Sequence, residues 1–345
     1  MVEPVAATAA STKPVFATLG LFIIDEFSFS DENGNPTNEK RPAEIGGGGT
    51  YAAIGARMWL PPRTFGMVID AGTDFPQDVH AALKDYSEEM WCFRTQEGHM
   101  TTRALNIYRG QHRDFEYLTP RIRLTPRDLV NTRLADPLTI HFVCSPKRAH
   151  VITSELRELG WNPTTIYEPI PFRCVPEELP SLLEVLPAID VLSPNAGEAL
   201  SLLSVPEPVT REKIEQAAKR FVDAGVGSES NGFVVIRSGE MGSYVLSRGH
   251  GGEWIDAYWQ DQSKVIDVTG AGNAFLGGLA AGITLESGDV YEAALYGTVS
   301  ASFVIEQGGL PHLTRLSPNT PDIEEWNGDS PRKRLEEVRA RKNRS

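Results

Sequence analysis

The sequence predicts an α/β protein built on a doubly wound parallel sheet flanked by helices, with a small β lid beside it. Short apolar runs of strand length recur along the 345 residues, at 16–24, 64–69, 138–144, 164–167, 191–192 and 233–236. Helical patterns fall between them, at 50–59, 147–158, 195–203 and 211–223, and that alternation is how parallel sheets are assembled. Residues 100–117 differ: they alternate in a strand-like way with no helix between, and with the polar stretch 28–44 they are expected to form the lid.

Taken in order, residues 1–13 are rich in Ala, Ser and Thr and read as a disordered leader. The run 16–24 is almost continuously apolar, as expected of a buried central strand, with Asp25 and Glu26 at its carboxyl end. After the polar excursion, Gly46-Gly-Gly-Gly49 opens the helical pattern at 50–59. The α/β unit is expected to span 14–318, and 319–345 to form a polar, partly basic tail. From 330 to the end that tail carries seven Lys or Arg against two Glu, the composition of a solvated helical end.

The formal net charge of −13 argues against a nucleic-acid surface, which needs clustered Lys and Arg, and favours small-molecule partners. Cys92, Cys144 and Cys174 are odd in number and form no C-x-x-C pair, so neither a disulfide framework nor a zinc site is signalled. No apolar run reaches the roughly 18–20 residues that span a bilayer. The first thirteen residues also lack the basic start and apolar middle of a signal peptide, so the chain is expected in the cytoplasm, away from membranes. His141 and Cys144 lie close together but have no second spaced pair, so His141 is expected to be packed or at the surface and Cys144 an inert core thiol.

Chemistry concentrates at the carboxyl ends of predicted strands, where open α/β sheets bind their ligands. The stretch Val265-Ile-Asp-Val-Thr-Gly-Ala-Gly-Asn-Ala-Phe275 is a glycine turn opening into an apolar helix. Gly270 and Gly272 let amides converge there, and the helix start adds unpaired N–H groups and the positive end of its dipole, so an anion site is expected. Asp25 can accept hydrogen bonds from neighbouring hydroxyls of a polyol, or cap a turn. Asn195 and Glu198, spaced i, i+3 at a helix start, either reach a phosphate and a hydrated Mg²⁺ or form an ordinary cap. Val234-Val-Ile-Arg-Ser-Gly-Glu-Met-Gly242 reads as a strand and turn before a second strand. A dinucleotide-binding reading fails on spacing, because about twenty mostly polar residues separate the first strand from Gly46.

The order of a strand ending in Asp25, a double glycine, Asn195-x-x-Glu198, a Gly239-x-x-Gly242 hairpin and Asp267-x-Thr-Gly-Ala-Gly272 resembles the ribokinase-like, or PfkB, carbohydrate kinases, from about residue 15 to about 311. The Gly-Asn ending with its Phe-Leu-Gly-Gly continuation is most similar to the fungal maintenance-of-killer branch of that family. The resemblance implies ATP with Mg²⁺ and transfer of the terminal phosphoryl group to a sugar or nucleoside alcohol. It implies that Asp25, Gly46, Gly47, Gly48 and Tyr51 line the acceptor site, and that Asn195 and Glu198 lie near phosphate and metal, Glu198 holding the latter. Arg237, Gly239 and Gly242 would lie along the nucleotide, Asp267 and Thr269 would shape the loop, and the amides of Gly270, Ala271, Gly272 and Asn273 would hold the migrating phosphoryl group. A monomer or a homodimer paired through the lid would both be consistent with it.

Two departures fall on the acceptor side. Asn273 stands where the family places an Asp general base, and Tyr51 where many members have an acceptor-binding Asn. An amide cannot take a proton. General-base catalysis contributes typically about 10²- to 10⁴-fold, while positioning and charge neutralisation carry most of phosphoryl transfer, so slow turnover is the expectation. The alternative is a catalytically inactive pseudo-kinase that senses a nucleotide or metabolite, or holds a protein partner.

Overall fold

The computed structural model describes residues 13–109, 112–315 and 324–343. Among them, nine strands form the main sheet in the spatial order Gly251–Ile255, Ser243–Ser247, Phe233–Arg237, Val191–Leu192, Thr164–Pro169, Thr139–Cys144, Phe16–Thr18, Phe65–Ala71 and Trp91–Thr95. The seven from Phe233–Arg237 to Trp91–Thr95 run parallel, and the other two continue the edge as an antiparallel meander. Side chains alternate between two cores. Phe16, Met67, Ile166 and Val235 face the helices Gly48–Arg57, Ala271–Leu285 and Val290–Val304, whereas Ala17, Val68, Ile140 and Val234 face Pro146–Glu158, Ala196–Leu202 and Arg211–Ala224. Helices on both faces of a mostly parallel sheet make the fold ribokinase-like, as the sequence predicts.

The run 16–24 proves to be two strands. The first ends at Thr18, whose Oγ1 accepts from the Gly20 amide, and the Gly49 amide donates to Leu21 O across the resulting bend (3.0 Å). The chain then leaves the main sheet. Ile23–Ser30 belongs to a separate four-stranded sheet, in the order Glu44–Gly46, Ile23–Ser30, Arg103–Arg109, His112–Tyr117. Asp25 therefore sits on the lid, two residues into its central strand, and not at the end of a core strand.

Several elements carry no clear sequence signal. The helix Val290–Val304 is buried almost all round, so no polar face marks its period. The strand Trp91–Thr95 is short and half polar because it closes the sheet edge. The expected leader lies outside the described residues except for Lys13. The basic tail is not simply solvated: Pro331–Lys342 is a helix docked against the core through Leu335 and Val338, and Arg334 is buried between Glu306 (2.7 Å) and Asp329 (2.9 Å) over the Phe303 ring. No helix among the described residues is long and apolar enough to cross a membrane.

Candidate functional site

The period of two along a strand decides which polar side chains meet. Thr18, His141, Glu168 and Arg237 each stand one position beyond, or between, residues of known facing, and all four fall on the side of the sheet covered by Ala271–Leu285. They lie toward the carboxyl ends of four parallel strands and form one buried chain. Thr18 Oγ1 is 3.0 Å from His141 Nδ1, and His141 Nε2 is 3.3 Å from Glu168 Oε2. Arg237 Nη2 is 2.8 Å from Glu168 Oε1 and 3.8 Å from Glu198 Oε2, and donates to Ser193 O (3.0 Å). Asn273 completes the chain by donating from Nδ2 to Glu168 Oε2 at 2.6 Å.

The two acids respond in opposite directions. Burial alone would push the Glu168 carboxyl up, but the Arg237 charge and the His141 hydrogen bond outweigh it and hold Glu168 below its ordinary value. Burial raises Glu198 to about 7, against the Arg237 charge and the Asn195 amide, which pull it down. The guanidinium is an ångström closer to Glu168, so Glu168 takes the charge.

The glycine turn has the expected anion-binding form. Gly270 begins the helix with φ 77°, a left-handed conformation that disfavours any residue with a Cβ. Among the described residues, the Gly272 and Asn273 amides have no protein partner, whereas Ala271 N donates to Val268 O and so is not free to bind a phosphate. Gly272 admits the Arg237 guanidinium, whose Nη1 would collide with any side chain there. Asp267 braces the turn: Oδ1 accepts from the Thr269 amide and Oδ2 pairs with Arg41 Nη2, both at 2.9 Å. Arg41 also pairs with Glu44 and lies over Phe27, so one lid residue ties the lid to the turn.

A cleft of about 1020 Å³ runs between lid and core, bordered by Asp25, Gly47, Gly48, Glu168, Gly270 and Asn273. The acceptor and phosphate residues read from the sequence thus converge. Asp25 Oδ1 accepts from Asn106 Nδ2 on the neighbouring lid strand (3.1 Å), Gly46 leaves room for the Asp25 carboxylate, and Gly48 lies against the Asn273 amide. Tyr51 also borders the cleft, but is 3% exposed, with its ring wedged under Gly270 as a support for the turn. Gly239 and Gly242 shape the turn between Phe233–Arg237 and Ser243–Ser247 and do not border this cleft.

Asn195 and Glu198 form the bland alternative, a reciprocal capping box in which Asn195 Oδ1 accepts from the Glu198 amide (2.8 Å) and Glu198 Oε2 from the Asn195 amide (2.7 Å). Magnesium prefers charged oxygens with room for its waters. Glu198 is 8% exposed, spends one oxygen on its cap, is raised toward neutrality and faces a guanidinium, so the residues present do not fit a metal at this position. Cys144 is buried, its thiol pushed up to about 12 by desolvation, and it is inert.

Sequence reasoning missed Glu168, Asn106 and Arg41. His141 is buried as one of the two expected placements, but as a hydrogen-bonded link and not an apolar filler. The available signal for Glu168 was a lone acid in a strand-end Tyr-Glu-Pro, legible only once the register is known.

The model of the pfkB family carbohydrate kinases matches residues 24–315. The chain belongs to this family. Within it, an uncharacterized protein of Schizosaccharomyces pombe is 33% identical over 93% of this chain and 92% of its own length. Protein MAK32 of Saccharomyces cerevisiae is 32% identical over 93% and 90%, in keeping with the resemblance to the fungal branch. The solved ribokinase of Arabidopsis thaliana, complexed with ribose and ATP, superposes with a TM-score of 0.61 at 18% identity, over 95% of this chain and 99% of that one.

Proposed function

We propose that this pfkB-family protein transfers the terminal phosphoryl group of ATP, slowly, to an alcohol of a sugar or nucleoside. One observation carries the reading: Asp25 from the lid and Asn273 from the helix start, where the Gly272 and Asn273 amides are unpaired, border one cleft. The Arabidopsis ribokinase holds ribose and ATP on the same fold.

In this reading Asp25, oriented by Asn106, accepts hydrogen bonds from acceptor hydroxyls and fixes one of them toward the glycine turn. The free amides hold the equatorial oxygens of the phosphoryl group, and Arg237 offsets their charge. The hydroxyl oxygen bonds to phosphorus as the bond to the bridging oxygen breaks, and the hydroxyl proton passes to a phosphoryl oxygen. Neither neighbouring side chain takes that proton well. Asn273 is an amide, and Glu168 is held by Asn273, His141 and Arg237 and stays ionised. The missing base is the reason for a slow rate, by about 10²- to 10⁴-fold.

The same closed network favours one second reading, a nucleotide- or metabolite-binding pseudo-kinase. Product formation separates the two. Incubating ATP with a sugar and nucleoside panel and detecting phosphorylated product by mass is expected to give slow turnover that Asp25→Ala abolishes. Nucleotide binding without product at enzyme concentrations comparable to acceptor would overturn the kinase reading and leave the binding one.

A further inference from the structure

Resting on the nucleotide reading above, we propose that the Arg237 guanidinium is the resident cation of the phosphate end, and that the protein binds ATP as the free polyphosphate anion and not as its magnesium complex.

Three features of the structure argue for this. The guanidinium lies between two carboxylates, 2.8 Å from Glu168 at a strand end and 3.8 Å from Glu198 at a helix start, and is anchored to Ser193 O. That is where a divalent ion would have to be charge-balanced, and the position is filled by the protein itself. A second cation there would be repelled by the first. The same guanidinium lies directly against Gly272, one residue from the free Asn273 amide, so positive charge stands beside the unpaired N–H donors of the helix start. Finally, Arg237 Nε is buried with no hydrogen-bond partner. An unsatisfied buried donor on a charged group is costly, and the chemistry that would satisfy it best is an anionic oxygen.

An Arg is suited to this task because it stays charged and offers several donors in a plane that matches a phosphate. It differs from a metal in one respect that can be measured: the cation is covalently part of the protein, so chelators cannot remove it.

The test is calorimetric titration of ATP into the full chain, in excess Mg²⁺ and separately in EDTA. The wild type is expected to bind in EDTA as tightly as in Mg²⁺ or more tightly. Arg237→Lys, which keeps a charge, is expected to retain metal-free binding within about tenfold. The pair Arg237→Thr/Glu168→Gln removes both charges and so avoids a stranded buried carboxylate. Folded by circular dichroism, it is expected to lose metal-free binding by tenfold or more. Wild-type binding that is tenfold or more weaker in EDTA would overturn the proposal while leaving the nucleotide reading intact. Binding in neither condition would overturn both. Unchanged metal-free binding in the double variant would show that the guanidinium is not the cation.

Discussion

The two ends of the cleft handle charge differently. At the lid end Asp25 accepts from Asn106 and borders the cleft, while at the core end Glu168 has both oxygens engaged by Asn273, His141 and Arg237. On the kinase reading proposed above, the lid end receives an uncharged, hydroxyl-rich ligand. The core end has already neutralised itself, and leaves only backbone amides and one guanidinium donor for an anion. What the difference teaches concerns Asn273. With a carboxylate at 168 held ionised by Arg237, an amide is the residue at 273 that can donate to it, and an acid there would set two carboxylates against each other at the 2.6 Å contact. The amide at 273 and the carboxylate at 168 are one feature.

The comparison breaks most severely if the core-end pair is split. Glu168→Ala strands Arg237 in a buried site and is expected to cost about 3–5 kcal/mol of stability by denaturant titration. Asp25→Ala, at the lid end, should cost far less stability while abolishing acceptor binding.

A smaller effect follows from Glu198. Its folded carboxyl lies at about 7 against an ordinary value of 4.5, so the neutral form is favoured by folding. That contribution is complete below about pH 4.5 and is lost as pH rises through 7, a fall of the order of 3 kcal/mol. Stability measured across this window should decline in the wild type and flatten in Glu198→Gln.

Asn273→Asp sharpens the comparison further. Alone it is expected to destabilise by about 1–2 kcal/mol, and combined with Glu168→Gln the two changes should be non-additive in the relieving direction. Because the new Asp is pushed up by its neighbour, its penalty should shrink as pH falls below its raised value. The smallest effect expected is that of Arg41→Ala: half-exposed ion pairs contribute up to about 1 kcal/mol, yet hydrogen exchange at residues 267–270 should quicken as the lid lets go of the turn.

Much of this arrangement was legible in the sequence. The glycine turn announces itself through local backbone needs, and the α/β order through periodicity, so both the fold and the turn that opens the helix could be read before any coordinates. Asp25 was legible as a ligand group but misplaced, because a continuous apolar run conceals the bend at Leu19–Phe22 where the chain passes from core sheet to lid. Glu168 was not legible, since its importance comes from three partners 27, 69 and 105 residues away in sequence that only the sheet register and helix docking bring together. For Asn195 and Glu198, spacing alone could not separate ligand from cap, and the mutual hydrogen bonds decide for the cap.

On the kinase reading, the amide at 273, hydrogen-bonded to the carboxylate at 168, sets a slow rate. That is tested most directly by phosphoryl transfer from labelled ATP to the acceptor panel, wild type against Glu168→Gln/Asn273→Asp, each checked for folding. The account predicts that the double variant transfers about 10²- to 10⁴-fold faster. A folded double variant no faster than the wild type, or a wild type already turning over at the rate of an ordinary sugar kinase, would contradict it.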